Sequence, residues 1–117
     1  MATTYKVLGQ SNPAAITLTT LYTVPASTQT VISTITVANQ AATAATYRIA
    51  VRVAAASIAA SQYLAYDVSL PANATDTLTL GVTVGATDVI SVYSSSATMS
   101  FNAFGSEIVY YDSRKNT

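Results

Sequence analysis

The chain has 117 residues and a formal net charge of +0, and only 9% of its residues are charged. It contains no histidine and no cysteine, so disulfide bonds are excluded and the side chains that carry most nucleophilic, proton-transfer and zinc chemistry are missing. Its five basic residues do not form the basic stripe that binds nucleic acid, and no apolar stretch is long enough to span a bilayer.

Apolar residues recur at every second position along most of the chain, which is the period of a half-buried β-strand. Turn-forming residues divide this pattern into eight predicted strands, at 5–9, 16–24, 30–38, 47–53, 63–70, 77–84, 89–93 and 98–111. Residues 54–61 are alanine-rich without a helix N-cap, and we expect a loop or a single helical turn there. The prediction is one all-β domain over residues 1–117, an antiparallel sandwich, either immunoglobulin-like or jelly-roll-like. A short N-terminal arm and a polar C-terminal tail flank it.

Two predicted strands carry the clearest alternation. Strand 30–38 is expected to place four residues on one face, namely Val31, Ser33, Ile35 and Val37. Strand 47–53 is expected to turn four residues towards the core, namely Tyr47, Ile49, Val51 and Val53. Its arginines, Arg48 and Arg52, then share the outer face because their spacing is even.

The five carboxylates are Asp67, Asp76, Asp88, Glu107 and Asp112. Asp76 and Asp88 lie in predicted turns and could meet at one end of a sandwich, where calcium would need several converging oxygen ligands. We expect instead that each of the two accepts hydrogen bonds from the backbone of its own turn. The serines at 94–96 have no histidine to activate them. We therefore predict a protein that is not an enzyme, with no catalytic residue, metal ligand or cofactor.

The chain has eight tyrosines and no tryptophan, which indicates an aromatic surface. The predicted ligand surface, for carbohydrate or for a protein neighbour, consists of Tyr63, Tyr66 and Tyr93. The predicted intersubunit contacts are Tyr110, Tyr111, Arg48 and Arg52. The alternative is that the tyrosines lie at the edge of the core with their hydroxyls reaching solvent.

Several segments resemble small all-β virion proteins of tailed bacteriophages, particularly phages of cyanobacteria and other aquatic bacteria. These segments are TYKVLGQ (4–10), TLYTVPA (20–26), VISTITVAN (31–39), AATYRIAV (44–51), DTLTLG (76–81) and ATDVISVY (86–93). The resemblance covers nearly the whole chain and brings no catalytic residues with it.

This resemblance implies a structural protein located in the virion and assembled in the host cytoplasm. The leading expectation is a capsid decoration, or cement, protein that bridges capsomers. The alternatives are a tail, neck or fibre-associated subunit, or a carbohydrate-binding tip module. The expected partners are copies of the same chain, as a trimer, and other virion proteins such as the major capsid protein. Neither nucleic acid nor a membrane is an expected partner.

Overall fold

Eight β-strands form the regular structure in a computed structural model of the chain, which describes residues 2–110. The strands are β1 (Ala2–Ser11), β2 (Thr19–Thr23), β3 (Thr28–Asn39), β4 (Ala45–Arg52), β5 (Tyr63–Leu70), β6 (Thr75–Val84), β7 (Val89–Ser94) and β8 (Met99–Val109). Two single turns of 3-10 helix, Val53–Ala55 and Ala60–Gln62, lie between β4 and β5. The predicted all-β class and the eight strands are confirmed.

The strands form two antiparallel four-stranded sheets that face each other. Sheet A has the order β1-β8-β3-β6 and sheet B the order β2-β7-β4-β5. The pairs β1–β8, β2–β7, β3–β6 and β4–β5 are those of one long hairpin. In it the first strand pairs with the last, the second with the second-to-last, and so on inwards. Rolling this hairpin into two layers brings β8 beside β3 and β7 beside β4. This is the jelly-roll arrangement, so the jelly-roll-like alternative is the correct one.

The core lies between the two sheets and takes side chains from both. Its largest fully buried members include Tyr47, Phe101, Ile32, Ile35, Ile49, Leu70, Ile90 and Met99. The Tyr47 and Phe101 rings meet edge to face, with centroids 6.1 Å apart. Since each such side chain contributes about 1.5–3 kcal/mol on burial, this contact between the layers accounts for much of the stability of the fold.

The alternation predicted for the first half of β3 is wrong. Ile32 is fully buried and Ser33 is exposed, whereas the prediction placed Ser33 on the same face as Ile35, which is fully buried. The register of β3 shifts between Ile32 and Thr34 against both of its neighbours, which is a β-bulge. On β6, Gly81 adopts a φ of +65° beside this bulge, a conformation that favours glycine. The bulge exchanges the two faces of the strand, because side chains alternate with a period of two.

The predicted core position of Val53 is also wrong. β4 ends at Arg52, and Val53 opens the 3-10 turn with 63% of its surface exposed. Tyr47 and Ile49 face the core as expected, and Val51 is half-buried against it. The predicted strand extended one residue past the observed end, because an apolar residue at the alternating spacing does not show where a strand stops.

The N-terminal segment is an edge strand where the sequence predicted a short arm. β1 pairs with β8 from Ala2 to Ser11, with one register shift between Val7 and Gly9. The polar tail predicted at 112–117 lies outside the described residues. Within residues 2–110, no helix combines the length and the hydropathy that crossing a bilayer requires.

Candidate binding surface

The outer face of sheet B carries a group of side chains around one arginine, which we call the Arg48 cluster: Arg48, Tyr63, Tyr66, Asp67 and Tyr93. Arg48 lies in the middle of β4 and points away from the core, since its neighbours on both sides along the strand are buried. Tyr93 of β7 is its direct cross-strand partner. The sheet register therefore places an arginine beside a tyrosine on one face.

A β-bulge in β5 brings the other members to Arg48. Tyr66 and Asp67 together face the single residue Arg48, because Val68 pairs with Tyr47 and Ala65 pairs with Ile49. Asp67 adopts a φ of 50°, in the left-handed region that aspartate tolerates better than most residues. The extra residue lets the ring of Tyr66 and the carboxylate of Asp67 both reach the guanidinium group.

The guanidinium group of Arg48 is held by stacking and by hydrogen bonds. Its Cζ lies 4.1 Å from the centroid of the Tyr66 ring and 4.4 Å from that of Tyr93. Its Nε donates to Oδ1 of Asp67 at 2.6 Å, and its Nη2 donates to Oδ2 at 3.2 Å. These hydrogen bonds hold the pKa of the Asp67 carboxyl below its ordinary value and raise the pKa of Arg48. The positive charge is thus already compensated inside the cluster.

A groove of about 530 Å³ lies beside the cluster and is lined by Ile58, Ala59, Ala60, Tyr63 and Tyr66. The Tyr63 and Tyr66 rings meet edge to face, with centroids 4.9 Å apart, and Tyr66 is 57% exposed. The surface therefore combines fixed aromatic rings with an apolar depression. It suits contact with the apolar side chains of a protein neighbour or with the flat face of a sugar ring.

Arg52 has a different role from Arg48. Its Nε donates to the carbonyl of Ala56 at 2.7 Å and its Nη2 to the carbonyl of Ala55 at 3.2 Å. Its Nη1 lies 3.5 Å from Oγ of Ser91, which is buried although it belongs to the outer face of sheet B. Arg52 thus ties the connection between β4 and β5, which supplies Ile58, Ala59 and Ala60 to the groove, to the sheet.

Of the predicted intersubunit contacts, Arg48 and Arg52 belong to sheet B, whereas Tyr110 follows a strand of sheet A. Arg48 joins the predicted ligand surface of Tyr63, Tyr66 and Tyr93, which the structure brings together. Tyr110 follows β8 of the other sheet, where it is 41% exposed and its backbone N–H donates to the carbonyl of Ser27 at 3.0 Å. Tyr111 lies outside the described residues. A contact role for these residues stays a prediction.

The carboxylates of the described residues all accept hydrogen bonds within the chain. Asp88 accepts from the backbone N–H of Gly85 at 2.9 Å and of Ala54 at 2.8 Å, which confirms the predicted backbone role. Asp76 departs from that expectation, because it accepts from the hydroxyl of Tyr47 at 2.8 Å. Asp76 lies at the start of β6 and Asp88 in the turn between β6 and β7, and within residues 2–110 no three acidic side chains group as metal ligands would.

Glu107 forms a second network, between the sheets. Its Oε2 accepts from the hydroxyl of Tyr22 at 2.6 Å, and its Oε1 accepts from Nζ of Lys6 at 3.2 Å. The Tyr22 hydroxyl also lies 2.8 Å from that of Thr30. Burial, together with the hydrogen bond to Glu107, raises the pKa of Tyr22. The network satisfies a carboxylate that is otherwise costly to bury.

The sequence pattern did not predict Asp67 as a member of the surface. One signal was available, because an aspartate inside an alternating strand is unfavourable without a partner and the neighbouring strand offered Arg48. The bulge that makes the contact gives no such signal in the sequence.

Comparison with protein-family models finds no family that matches the chain, and comparison with curated proteins finds no significant match. The fold and the Arg48 cluster define a small jelly-roll protein with an aromatic outer surface.

Proposed function

We propose that the chain is a structural protein of a bacteriophage virion, a decoration protein that stabilises the capsid by bridging neighbouring capsomers. The observation that carries the proposal is that the charged side chains are bonded within the chain while large apolar and aromatic side chains are exposed. Every Lys, Arg, Asp and Glu side chain within residues 2–110 is hydrogen-bonded inside the chain. Large apolar and aromatic side chains are exposed instead, among them Tyr5, Ile16, Val53, Leu64 and Tyr66.

Such a surface suits burial against protein neighbours. Charged residues are depleted at the centre of protein interfaces, whereas tyrosine and arginine are enriched there. A stable contact buries about 1,600 Å² in total, and a decoration protein adds this area across the boundary between capsomers. Internal pressure must then break these contacts before the capsomers separate. The jelly-roll fold supports the proposal, because it recurs in viral capsid proteins. The six segments that resemble phage virion proteins support it as well.

The partners proposed are further copies of this chain, with the trimer as the expected form, and the major capsid protein. The Arg48 cluster is the surface proposed to meet a neighbour, because its rings are fixed before binding and lose little side-chain entropy. A tail, neck or fibre-associated location would use the same surface against a different virion protein.

The test compares phage heads assembled with and without this protein. Heads without it should release DNA at a lower temperature than complete heads, and adding the purified protein should restore their heat resistance. A Tyr66→Ala protein should restore it poorly, whereas a Thr83→Ala protein, changed on the outer face of sheet A, should act like the original. Equal heat resistance of both kinds of head would contradict the decoration role, and antibody labelling of the tail would favour the tail or neck alternative.

A carbohydrate-binding tip module is the second candidate, because the groove adjoins the exposed Tyr66 ring. Jelly rolls also include lectins. On a glycan array, binding that is lost in Tyr66→Ala and kept in Tyr5→Ala would favour this function. An array without any signal would contradict it.

A further inference from the structure

Open sheets expose unpaired backbone N–H and C=O groups along their edge strands, and these groups can pair with another chain. The edges here are β1 and β6 of sheet A, and β2 and β5 of sheet B. Three of them carry features that oppose such pairing. β2 is only five residues long, and β5 has two register shifts and carries Asp67. β6 bulges at Gly81, which divides its regular pairing with β3 into two shorter runs.

β1 has its own register shift, between Val7 and Gly9, but it keeps the longest regular run of the four edges. It is ten residues long, and its pairing with β8 is regular from Ala2 to Val7. Its single charged residue, Lys6, is engaged with Glu107 at 3.2 Å. On the other face of the strand, Tyr5 is 84% exposed and Val7 is 48% exposed. This segment is therefore a regular edge strand with no neighbouring strand on its outer side and with exposed apolar side chains.

The exposed face next to this edge carries apolar side chains together with polar ones such as Ser33 and Ser106. A depression of about 370 Å³ on the outer face of sheet A adjoins Tyr5 and is lined in part by Val31 of β3 and Phe104 of β8. The edge and the depression are continuous, because Tyr5 belongs to both. A strand that paired with β1 would place its own side chains beside Tyr5 and Val7 on this face.

We propose that Ala2–Val7 pairs antiparallel with the same segment of a second copy of this chain, which joins two copies of sheet A into one eight-stranded sheet. A second copy is the fitting partner because antiparallel pairing about a two-fold axis is self-complementary. Net charge does not oppose it, since the chain carries +0 and each Lys6 is neutralised by its own Glu107. Tyr5 and Val7, otherwise exposed, are covered in this arrangement.

This inference goes beyond the proposed function and does not depend on a place in the virion. A two-fold contact gives a dimer by itself, and it is compatible with the expected trimer only as a dimer of trimers. The native mass must therefore correspond to an even number of chains.

The first test uses single cysteines, since the chain has none of its own. Paired residues in an antiparallel ladder point to the same face, so a two-fold axis places one residue of the segment opposite its own copy. Single cysteines at Thr3, Thr4, Tyr5, Lys6 and Val7 should give one position that crosslinks strongly on oxidation, with weak crosslinking at its neighbours. The control, Thr79→Cys on the β6 edge, should stay uncrosslinked at the same protein concentration.

The second test measures native mass. Tyr5→Lys combined with Val7→Lys should convert the assembly to half its mass while circular dichroism remains that of the folded chain, because the added charges face each other across the axis. Thr77→Lys combined with Thr79→Lys, on the β6 edge, should leave the mass unchanged. An original protein that is monomeric or has an odd number of chains, uniform failure to crosslink, or dissociation caused by the β6 variant alone would each overturn the proposal.

Discussion

The charges of Arg48 and Asp67 order the outer surface of sheet B by pairing with each other, so neither charge is left free to bind a ligand. The guanidinium group makes a two-point hydrogen bond to the carboxylate and stacks on two tyrosine rings. Lysine could not replace it, because an ammonium group has neither the planar shape nor the fork of donors. The pair therefore fixes the Tyr66 and Tyr93 rings, and its stabilising effect should respond to pH.

Asp67→Asn should remove the acid-dependent part of this stabilisation. The hydrogen bonds from Arg48 lower the folded-state pKa of Asp67 below its ordinary value of 3.8. A lowered pKa gives stability that is fully present above the unfolded-state value and is lost as pH falls through the folded-state value. Thermal midpoints measured between about pH 7 and pH 2 should thus show a constant difference between original and variant above about pH 5 that shrinks at lower pH. A difference that grows on acidification would contradict this role.

Tyr22→Phe should destabilise the chain by about 1–3 kcal/mol, because it removes a hydrogen bond to a buried carboxylate and leaves Glu107 with only Lys6. Urea unfolding, followed by tyrosine fluorescence in this tryptophan-free chain, measures the difference. Tyr5→Phe, at a tyrosine that is 84% exposed, provides the matched control and should leave the unfolding midpoint unchanged. Equal effects of the two changes would mean that the hydroxyl of Tyr22 does not stabilise the fold.

At the level of elements, every strand could be predicted from the sequence. Which face of the sheet each side chain occupies could be predicted only in part. Alternation and turn residues give each strand, since both act locally. Bulges shift the facing, and they depend on pairing with strands distant in sequence. The bulge at Ser33 and the one at Asp67 are of this kind, and the second one builds the Arg48 cluster. The tyrosines of the surface could therefore be predicted, but their arrangement around Arg48 could not.

The end of β4 can be tested with two aspartates on the same face of the predicted strand. Ile49→Asp should prevent folding, because it places an unpaired carboxylate at a fully buried position. Val53→Asp should give a folded protein with a thermal midpoint within a few degrees of the original, since Val53 lies in the exposed 3-10 turn. Loss of folded protein with Val53→Asp would show that the strand continues past Arg52.

The close contact between β8 and β3 can be tested at Gly105. A methyl group there would collide with the backbone carbonyl of Val31, which is part of the neighbouring strand and cannot move aside alone. Gly105→Ala should therefore cost about 1–3 kcal/mol of unfolding free energy. Gly85→Ala is the control, because its added methyl would meet only the Asp88 carboxylate, at 3.9 Å. Similar denaturant midpoints for both variants would contradict the tight packing at the bulge.

At the level of the whole molecule, rolling one hairpin into two sheets decides which residues become neighbours. The first strand pairs with the last, and β4 comes to lie between β5 and β7, which brings together side chains from three parts of the sequence. The same rolling leaves four edges, of which β1 has the longest run of regular pairing. Self-association and the aromatic surface thus occupy different sheets, so that one contact does not obstruct the other.

The charge distribution of the whole molecule predicts how its self-association depends on salt. Added salt shortens the range of charge interactions from about 10 Å at 0.1 M to about 3 Å at 1 M. A contact made by backbone hydrogen bonds and by Tyr5 and Val7 involves no charge between the copies. The native mass of the assembly should therefore stay the same over this range, and the contact itself should be as strong or stronger at high salt. Light scattering after size-exclusion chromatography measures this directly. Dissociation at 1 M salt would mean that ion pairs hold the copies together, and the Arg48 cluster would then be the surface to examine, with Asp67→Asn as the variant that frees its charge.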